Sequence, residues 1–375
     1  MRDERDLKIT DIEPICLVAP LKSPQSIAGH TFTSKQATLI KVHTDVGLVG
    51  IGECLTRFAP EAVKAIVEAL KPALIGSDPT DIEALWAKMY SLMRSRGHSK
   101  GFMIEAMSGV DVALWDLLGK ELGAPVYKLL GGRFRDRIEA YATALMLGEK
   151  EELKGQALKF LEEGFKAMKL KIGRGLEEDV ERIRAVKEVV GDDAKLMVDA
   201  NCAYSVPTAI KLGRFLEREE VYWFEEPIPP ENLEGYVEIS RALDIPVAAG
   251  ESEFTRYGFR DLISKRAVDI IQPDVCRAGG FSEVRKIVAM ASAYDLAYAP
   301  HTGVSSTICL AATLHLATST PDFLIFEYER LPNPLREELL KERVDRFEGG
   351  YLEIPRGPGL GVELDERAIQ KYSVG

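Results

Sequence analysis

Cysteine is scarce in this chain: five occur in 375 residues (Cys16, Cys54, Cys202, Cys276 and Cys309). Their odd number, wide scatter and lack of CxxC spacing exclude a disulfide framework, a zinc ribbon and a redox pair, and suit a reducing compartment. Long hydrophobic runs are also missing. No stretch approaches the ~18 apolar residues of a membrane span. The N-terminus MRDERDLKITDIE starts charged and reaches no apolar segment, so the reading is a cytoplasmic protein, mature from its first residue, with no membrane partner. Positive charge is in deficit: 48 Lys and Arg against 59 Asp and Glu leave a net charge of −11, the wrong sign for a general phosphate-backbone binder, so nucleic acid is not an expected partner. What remains, 46% hydrophobic and 29% charged residues, is an ordinary globular composition, long enough for two to three domains of ~150 residues.

Residues 6–56 read as a meander of three strands: apolar residues alternate in LKITDIEPICLVAPL, QATLIKVHTD and GIGECL around Gly and Asp turn signals. From Pro60 the period changes to i, i+3, i+4, i+7 in PEAVKAIVEALKPALIG, DPTDIEALWAKMYSLM and FMIEAMSGVDVALWDLLGKELG, which predicts three amphipathic helices. Strands followed by helices suggest an α+β domain over 1–125, with the Gly-rich text at 129–136 as a linker. Over 126–330 short apolar β runs and amphipathic helices then alternate, from IEAYATALM to FLIFEYE. Eight strands with seven intervening helices predict an α/β fold whose parallel sheet closes into a barrel. An open doubly wound sheet is the runner-up, but no GxGxxG or P-loop follows any strand. The segment 331–375 is too short for a further domain and is expected to return to the N-terminal region.

Every barrel strand from the second onward ends in an ionisable residue: Lys169 and Lys171, Asp199, Glu225, Glu251, Asp274, His301 and Glu327. From Lys171 the spacings are 28, 26, 26, 23, 27 and 26 residues, each about one βα unit. A single Asp or Glu closing a strand is an ordinary cap for the next helix. A phased series is different, because the C-terminal ends of barrel strands converge on one mouth, where active sites are built. Asp199, Glu225 and Glu251 supply three hard oxygen donors on consecutive strands, which suits Mg²⁺. A glycosidase acid/base pair is the competing reading, but it leaves the third carboxylate and the lysines unused. The alternation in Lys-Leu-Lys directs Lys169 and Lys171 to one face, where their repulsion and a nearby divalent cation are expected to lower both pKa values and free a neutral base. Asp274, one βα unit before His301, is placed to orient the imidazole. Two bases flanking a metal-bound carboxylate suit proton abstraction α to that carboxylate.

In these motifs the chain resembles the enolase superfamily, and within it the mandelate racemase/muconate lactonizing enzyme subgroup. The resemblance runs through SGVDVALWDLLGKELGAPVYKLLGG, KLKIG, VDAN, FEEP, GES, QPD, APH, FEYE and GPGLGVELDE. It implies a modified (β/α)7β TIM-like barrel under an α+β capping domain formed by the N-terminal region and the C-terminal tail. It further implies one Mg²⁺ per subunit on Asp199, Glu225 and Glu251, with Lys171 as base on one face and His301, paired with Asp274, as acid or base on the other. Lys169 would hold the substrate carboxylate, and Asn201 and Glu327 would make further polar contacts; family register favours Glu225 over Glu226 and Glu327 over Glu329. The resemblance also implies a small-molecule carboxylate substrate and a homo-oligomer. Members include racemases, epimerases, acid-sugar dehydratases and cycloisomerases. Specificity is expected from the loop 19–35, with Lys22 and His30, and from the segment around Cys54–Phe58, with Arg57. The polar character of that loop favours a sugar acid, dehydrated to a 2-keto-3-deoxy product. Lys22 and Arg57 together would read a second carboxylate. A barrel retained for binding or structure alone is the remote alternative.

Overall fold

The structure, a computed structural model, describes residues 7–27, 30–146 and 148–374, without the side chains of Ile27, His30 and Ala144. It opens with the antiparallel strands β1 (Ile9–Ile27), β2 (His30–Thr44) and β3 (Val49–Cys54), in the order β1-β2-β3. Where a loop is expected over 19–35, the described residues 19–27 and 30–35 are instead the outer parts of the paired strands β1 and β2, with Ala19 paired to Lys35 and Gln25 to Phe32 across a register shift. Polar alternation is as compatible with a two-stranded ribbon in solvent as with a loop.

Three helices follow, α1 (Pro60–Leu74), α2 (Ile82–Arg94) and α3 (Phe102–Glu121), and then the single turn α4 (Val126–Leu129). Helix α3 is buried almost all round, which marks it as an internal element. One face lies so tightly on β3 that a Cβ on Gly52 would stand 2.0 Å from the Gly109 carbonyl oxygen, and one on Gly109 would stand 2.3 Å from Cys54 Sγ. The opposite face docks onto the second unit of the fold.

That unit is an eight-stranded barrel. Strands β4 (Ile138–Leu145), β5 (Ala167–Lys171), β6 (Lys195–Asp199), β7 (Phe224–Glu225), β8 (Val247–Ala249), β9 (Ile270–Ile271), β10 (Ala297–Tyr298) and β11 (Phe326–Glu329) alternate with α5 (Lys150–Glu162), α6 (Leu176–Val190), α7 (Val206–Arg218), α8 (Leu233–Ala242), α9 (Thr255–Ser264), α10 (Gly280–Ser292) and α11 (Thr307–Ser319). Neighbours from β4 to β10 pair in parallel. The ring closes through β11 on β4 and a parallel bridge from Tyr298 to Phe323.

After β11 the chain forms α12 (Pro334–Glu337), the small hairpin of β12 (Phe347–Glu348) and β13 (Tyr351–Leu352), and α13 (Glu366–Tyr372). Strand β13 pairs antiparallel with the start of β4, whereas further on Val374 N donates to Cys16 O in β1 at 3.0 Å. The segment from 331 therefore serves both units and does not return to the N-terminal one alone.

Buried polar contacts hold the units together. Trp86 Nε1 donates to Gly279 O (2.9 Å), Trp115 Nε1 to Ser282 Oγ (3.0 Å), and Ser282 N to Asp111 Oδ1 (3.1 Å). Glu53, fully buried at the end of β3, accepts Ser306 N, Ser306 Oγ and Cys309 N at 2.8, 2.6 and 2.8 Å. It thereby satisfies N–H groups that the first turn of α11 cannot pair internally. No helix among the described residues is long and apolar enough to cross a membrane.

Candidate active site

The barrel interior is built in layers set by the two-residue period of its strands. Tyr141, Ala167, Met197, Trp223, Ala248, Ile270, Ala299 and Ile325, one from each strand position, form a buried apolar plug, with Tyr141 and Trp223 edge to face at 5.3 Å. Two residues further along the same strands stand Thr143, Lys169, Asp199, Glu225, Gln272, His301 and Glu327. Two further on are Lys171, Asn201, Asp274 and Glu329. The charged mouth is thus the next inward-facing layer above an apolar floor, and every charge in it is largely cut off from water.

At β8 the pattern slips by one residue. The second-layer position is Gly250, with φ 138°, where a Cβ would stand 2.9 Å from the Phe259 ring and 3.0 Å from Gln272 N. This tight left-handed backbone, open only to glycine, lets Glu251 reach the centre. Carboxylate oxygens of Asp199, Glu225 and Glu251 then lie within 4.8 Å of one another, all buried. Burial pushes Glu225 up to about 7, against the pull of Lys169. Burial and the neighbouring Glu251 charge push Glu226 to about 8. So dense a group of carboxylates calls for a compact cation, and an all-oxygen donor set suits Mg²⁺.

Lys169 Nζ lies 2.5 Å from Glu225, 3.0 Å from Glu327 and 3.6 Å from Asp199, and Lys171 Nζ is paired with Asp199 Oδ2. The expectation that repulsion between the two lysines lowers their pKa values is corrected here. Burial does work against the ammonium form, but Glu225 and Glu327 hold Lys169 well above its usual value, and Asp199 raises Lys171 despite repulsion from Lys169. Carboxylates surround the pair closely enough to outweigh the repulsion between its members.

His301 Nδ1 lies 2.8 Å from Asp274 Oδ2, and its Nε2 lies 3.5 Å from Glu251 Oε2 and 3.3 Å from Arg57 Nη2. Burial disfavours the imidazolium, yet Glu251 and Glu327 raise its pKa above the ordinary value. Burial likewise opposes the charge on Glu327, but Lys169 and His301 bring it down to about 2. The same carboxylate accepts Thr302 N and Gly303 N at 2.8 and 3.1 Å. The free oxygen of Asp274 accepts Cys276 N at 2.8 Å and the Cys309 thiol at 3.7 Å. Cys276 and Cys309 thus stand beside the dyad, a neighbourhood the scattered cysteine text did not reveal; burial raises both thiols.

A cavity of about 280 Å³ opens over this layer, lined by Lys171, Asn201, Glu251, His301 and Glu327 from the barrel and by Phe32 and Arg57 from the N-terminal unit. Lys169, Asp199, Glu225 and Asp274 are buried beneath it. Asn201 Oδ1 is buried without a partner among the described residues, an acceptor left over for a ligand. The two specificity candidates Lys22 and Arg57 are not brought together. Lys22 is exposed on β1, outside the lining residues, where its charge acts on Glu338. The side chain of His30 lies outside the described residues. Sequence reasoning missed Ser252, and took in Phe58 and Lys35 only as the last residues of the segments 54–58 and 19–35. Phe58 stacks on Phe32 at 5.3 Å over the cavity, Ser252 Oγ donates to Glu226 at 3.3 Å, and buried Lys35 pairs with cavity-lining Glu329 at 3.2 Å. Lys35 carried a further signal, an inward-phase charge in an alternating strand.

Two family models match the chain: the mandelate racemase/muconate lactonizing enzyme N-terminal domain over residues 11–131 and the enolase C-terminal domain-like family over 152–368. Among curated relatives, the D-galactarolactone cycloisomerase of Agrobacterium fabrum is 39% identical, over 98% of this chain and 99% of that protein. The arabinonate dehydratase of Saccharolobus solfataricus is 39% identical, over 88% and 89%. Among solved structures, the 3,6-anhydro-D-galactonate cycloisomerase of Zobellia galactanivorans aligns with a TM-score of 0.90 at 36% identity, over 98% of this chain and 100% of that one. An enolase superfamily member from Polaromonas aligns at 0.93 and 34%, over 98% of both.

Proposed function

The chain belongs to the mandelate racemase/muconate lactonizing enzyme family of the enolase superfamily, and from that premise we propose that it is an Mg²⁺-dependent acid-sugar dehydratase. The observation that carries the reading is that Lys171, the Asp274-oriented His301 and Glu251 meet in one cavity, with Asp199 and Glu225 grouped with Glu251 beneath it. When bound to these three carboxylates, Mg²⁺ supplies the positive charge that stabilises an enediolate. Lys169, at the base of the site, binds the substrate carboxylate in place of its contacts to Glu225 and Glu327. Burial opposes the charge on Lys171, which is raised chiefly by Asp199; it would lose that hold once Asp199 serves the cation, and as a neutral amine it takes the α-proton. His301, held by Asp274 at Nδ1, presents Nε2 to the β-hydroxyl and gives it a proton as it leaves. Asn201 Oδ1 accepts a substrate hydroxyl. Phe32 and Phe58 shield the reacting carbons from water.

Named dehydratases among the relatives act on arabinonate, D-xylonate and D-galactonate, which supports a sugar acid as the small-molecule substrate. Cycloisomerisation of a sugar-acid lactone is the second reading, favoured by the near-full-length match to the galactarolactone enzyme. A screen of mono- and diacid sugars with Mg²⁺, scored for 2-keto acid release, tests the proposal. Activity abolished in Lys171→Ala and in His301→Asn supports dehydration. α-Hydrogen exchange with solvent deuterium, without 2-keto acid from any member, refutes it in favour of racemisation or cycloisomerisation.

A further inference from the structure

Arg57 belongs to the N-terminal unit but is locked to the barrel. Leu55 N donates to Cys276 O at 2.9 Å, while Thr56 Oγ1 bonds Thr38 Oγ1 and Cys54 O, both at 3.1 Å. Cys276 is also the residue whose backbone N–H holds Asp274 at 2.8 Å. The stretch of chain that fixes the dyad therefore fixes the segment carrying the arginine. From there Arg57 Nη2 reaches Glu251 Oε1 at 3.0 Å and His301 Nε2 at 3.3 Å. Its Nε is buried without a partner among the described residues.

A guanidinium only donates hydrogen bonds. Arg57 and His301 both line the cavity, with Nη2 and Nε2 3.3 Å apart and Glu251 beside both, 3.0 Å from Nη2 and 3.5 Å from Nε2. An oxygen held against His301 Nε2 therefore lies within reach of the guanidinium as well, and the acceptor that suits such a donor best is one gaining negative charge. We propose that Arg57 is a catalytic residue of elimination: with His301 it forms a two-donor clamp on the departing β-hydroxyl oxygen.

This role rests on the dehydratase reading and deepens it. Lys171 removes the α-proton and the C–H pair enters the enediolate. As the carbon–carbon double bond forms, the C3–O pair leaves with oxygen, which takes the Nε2 proton and departs as water. His301 ends neutral and Arg57 keeps all its protons. The enol then ketonises with a proton from solvent, while Lys171 returns its proton to solvent. Recognition of a second substrate carboxylate by Arg57 is the less fitting role. Lys22 is absent from the cavity, and Glu226, Glu251, Glu327 and Glu329 line it, so a second anion would meet mostly negative charge.

The test uses the Mg²⁺-loaded enzyme and a sugar acid that the wild type dehydrates. Two rates are measured in D₂O: 2-keto acid release and deuterium entry at the α-carbon of remaining substrate. Arg57→Met is expected to slow release by about 100-fold or more while α-exchange stays within about threefold, and Arg57→Lys is expected to recover part of the release. Equal loss of both rates overturns the proposal, since it assigns Arg57 to the upkeep of Glu251 and the site as a whole. An increase in KM confined to diacids, with kcat unchanged, overturns it in favour of carboxylate recognition. Wild-type elimination with an unchanged Arg57→Met refutes the clamp alone, whereas wild-type exchange with no 2-keto acid from any sugar acid refutes the dehydratase reading beneath it.

Discussion

Glu53 offers a quantitative test of how the N-terminal unit is fastened to the barrel. One oxygen accepts Ser306 N, and the other accepts Ser306 Oγ and Cys309 N. In Glu53→Gln the amide has one acceptor oxygen. With that oxygen on the Ser306 Oγ and Cys309 N side, the NH₂ faces Ser306 N–H. With the amide flipped, Ser306 Oγ can turn to accept, but the NH₂ faces Cys309 N–H. Either orientation leaves one buried backbone N–H unpaired, at a cost of about 1–3 kcal/mol. Part of this is offset because burial, which raises the Glu53 pKa, no longer acts on a charge. Glu53→Ala strands all three donors and opens a cavity, so its cost is at least about 4 kcal/mol. Equilibrium urea unfolding followed by fluorescence reads the effect directly, because Trp86 and Trp115 stand at the junction and Trp223 in the barrel plug. The expected order is wild type, then Gln, then Ala. An Ala variant within about 1 kcal/mol of wild type, or a Gln variant as unstable as Ala, would show that the carboxylate is not the fastening.

Three further outcomes are expected. Asp274→Asn loses a charge-assisted bond of about 1.5–3 kcal/mol to His301, so kcat for 2-keto acid release falls about 10- to 150-fold; a change of less than twofold contradicts the orienting role. Chelation with EDTA abolishes turnover and added Mg²⁺ restores it, while calorimetry of Glu251→Gln shows Mg²⁺ affinity at least about tenfold weaker; wild-type affinity in that variant removes Glu251 from the ligand set. Burial pushes Asp111 up to about 7, so the folded state holds its proton where the unfolded chain has released it, and this group makes stability fall as pH rises from about 4 to about 7. In Asp111→Asn that fall is shallower, by up to about 1.4 kcal/mol per pH unit, and an unchanged slope in urea titrations across this range rules the assignment out.

The sequence by itself determined what depends on period. Alternating βα text predicts the count of eight strands and seven helices, and a charge recurring about every 26 residues predicts that Lys171, Asp199, Glu225, Asp274, His301 and Glu327 share one mouth, because a strand's two-residue pleat and a barrel's closure are local and repetitive rules. It also marked Arg57 as a residue to watch. Tertiary structure decided what depends on packing between distant segments. The slip at Gly250 that delivers Glu251 follows from the close approach of Phe259 and Gln272, and the strand structure of 19–27 and 30–35 follows from pairing that solvent-facing alternation does not specify. The raised pKa values of Lys169 and Lys171 follow from how many carboxylates the closed ring gathers around them, a sum over strands that no single motif contains. The contact of Arg57 with His301 follows from one backbone bond between Leu55 and Cys276, more than two hundred residues apart in the chain. Electrostatics and backbone docking act through space, so they become readable only once the ring is closed.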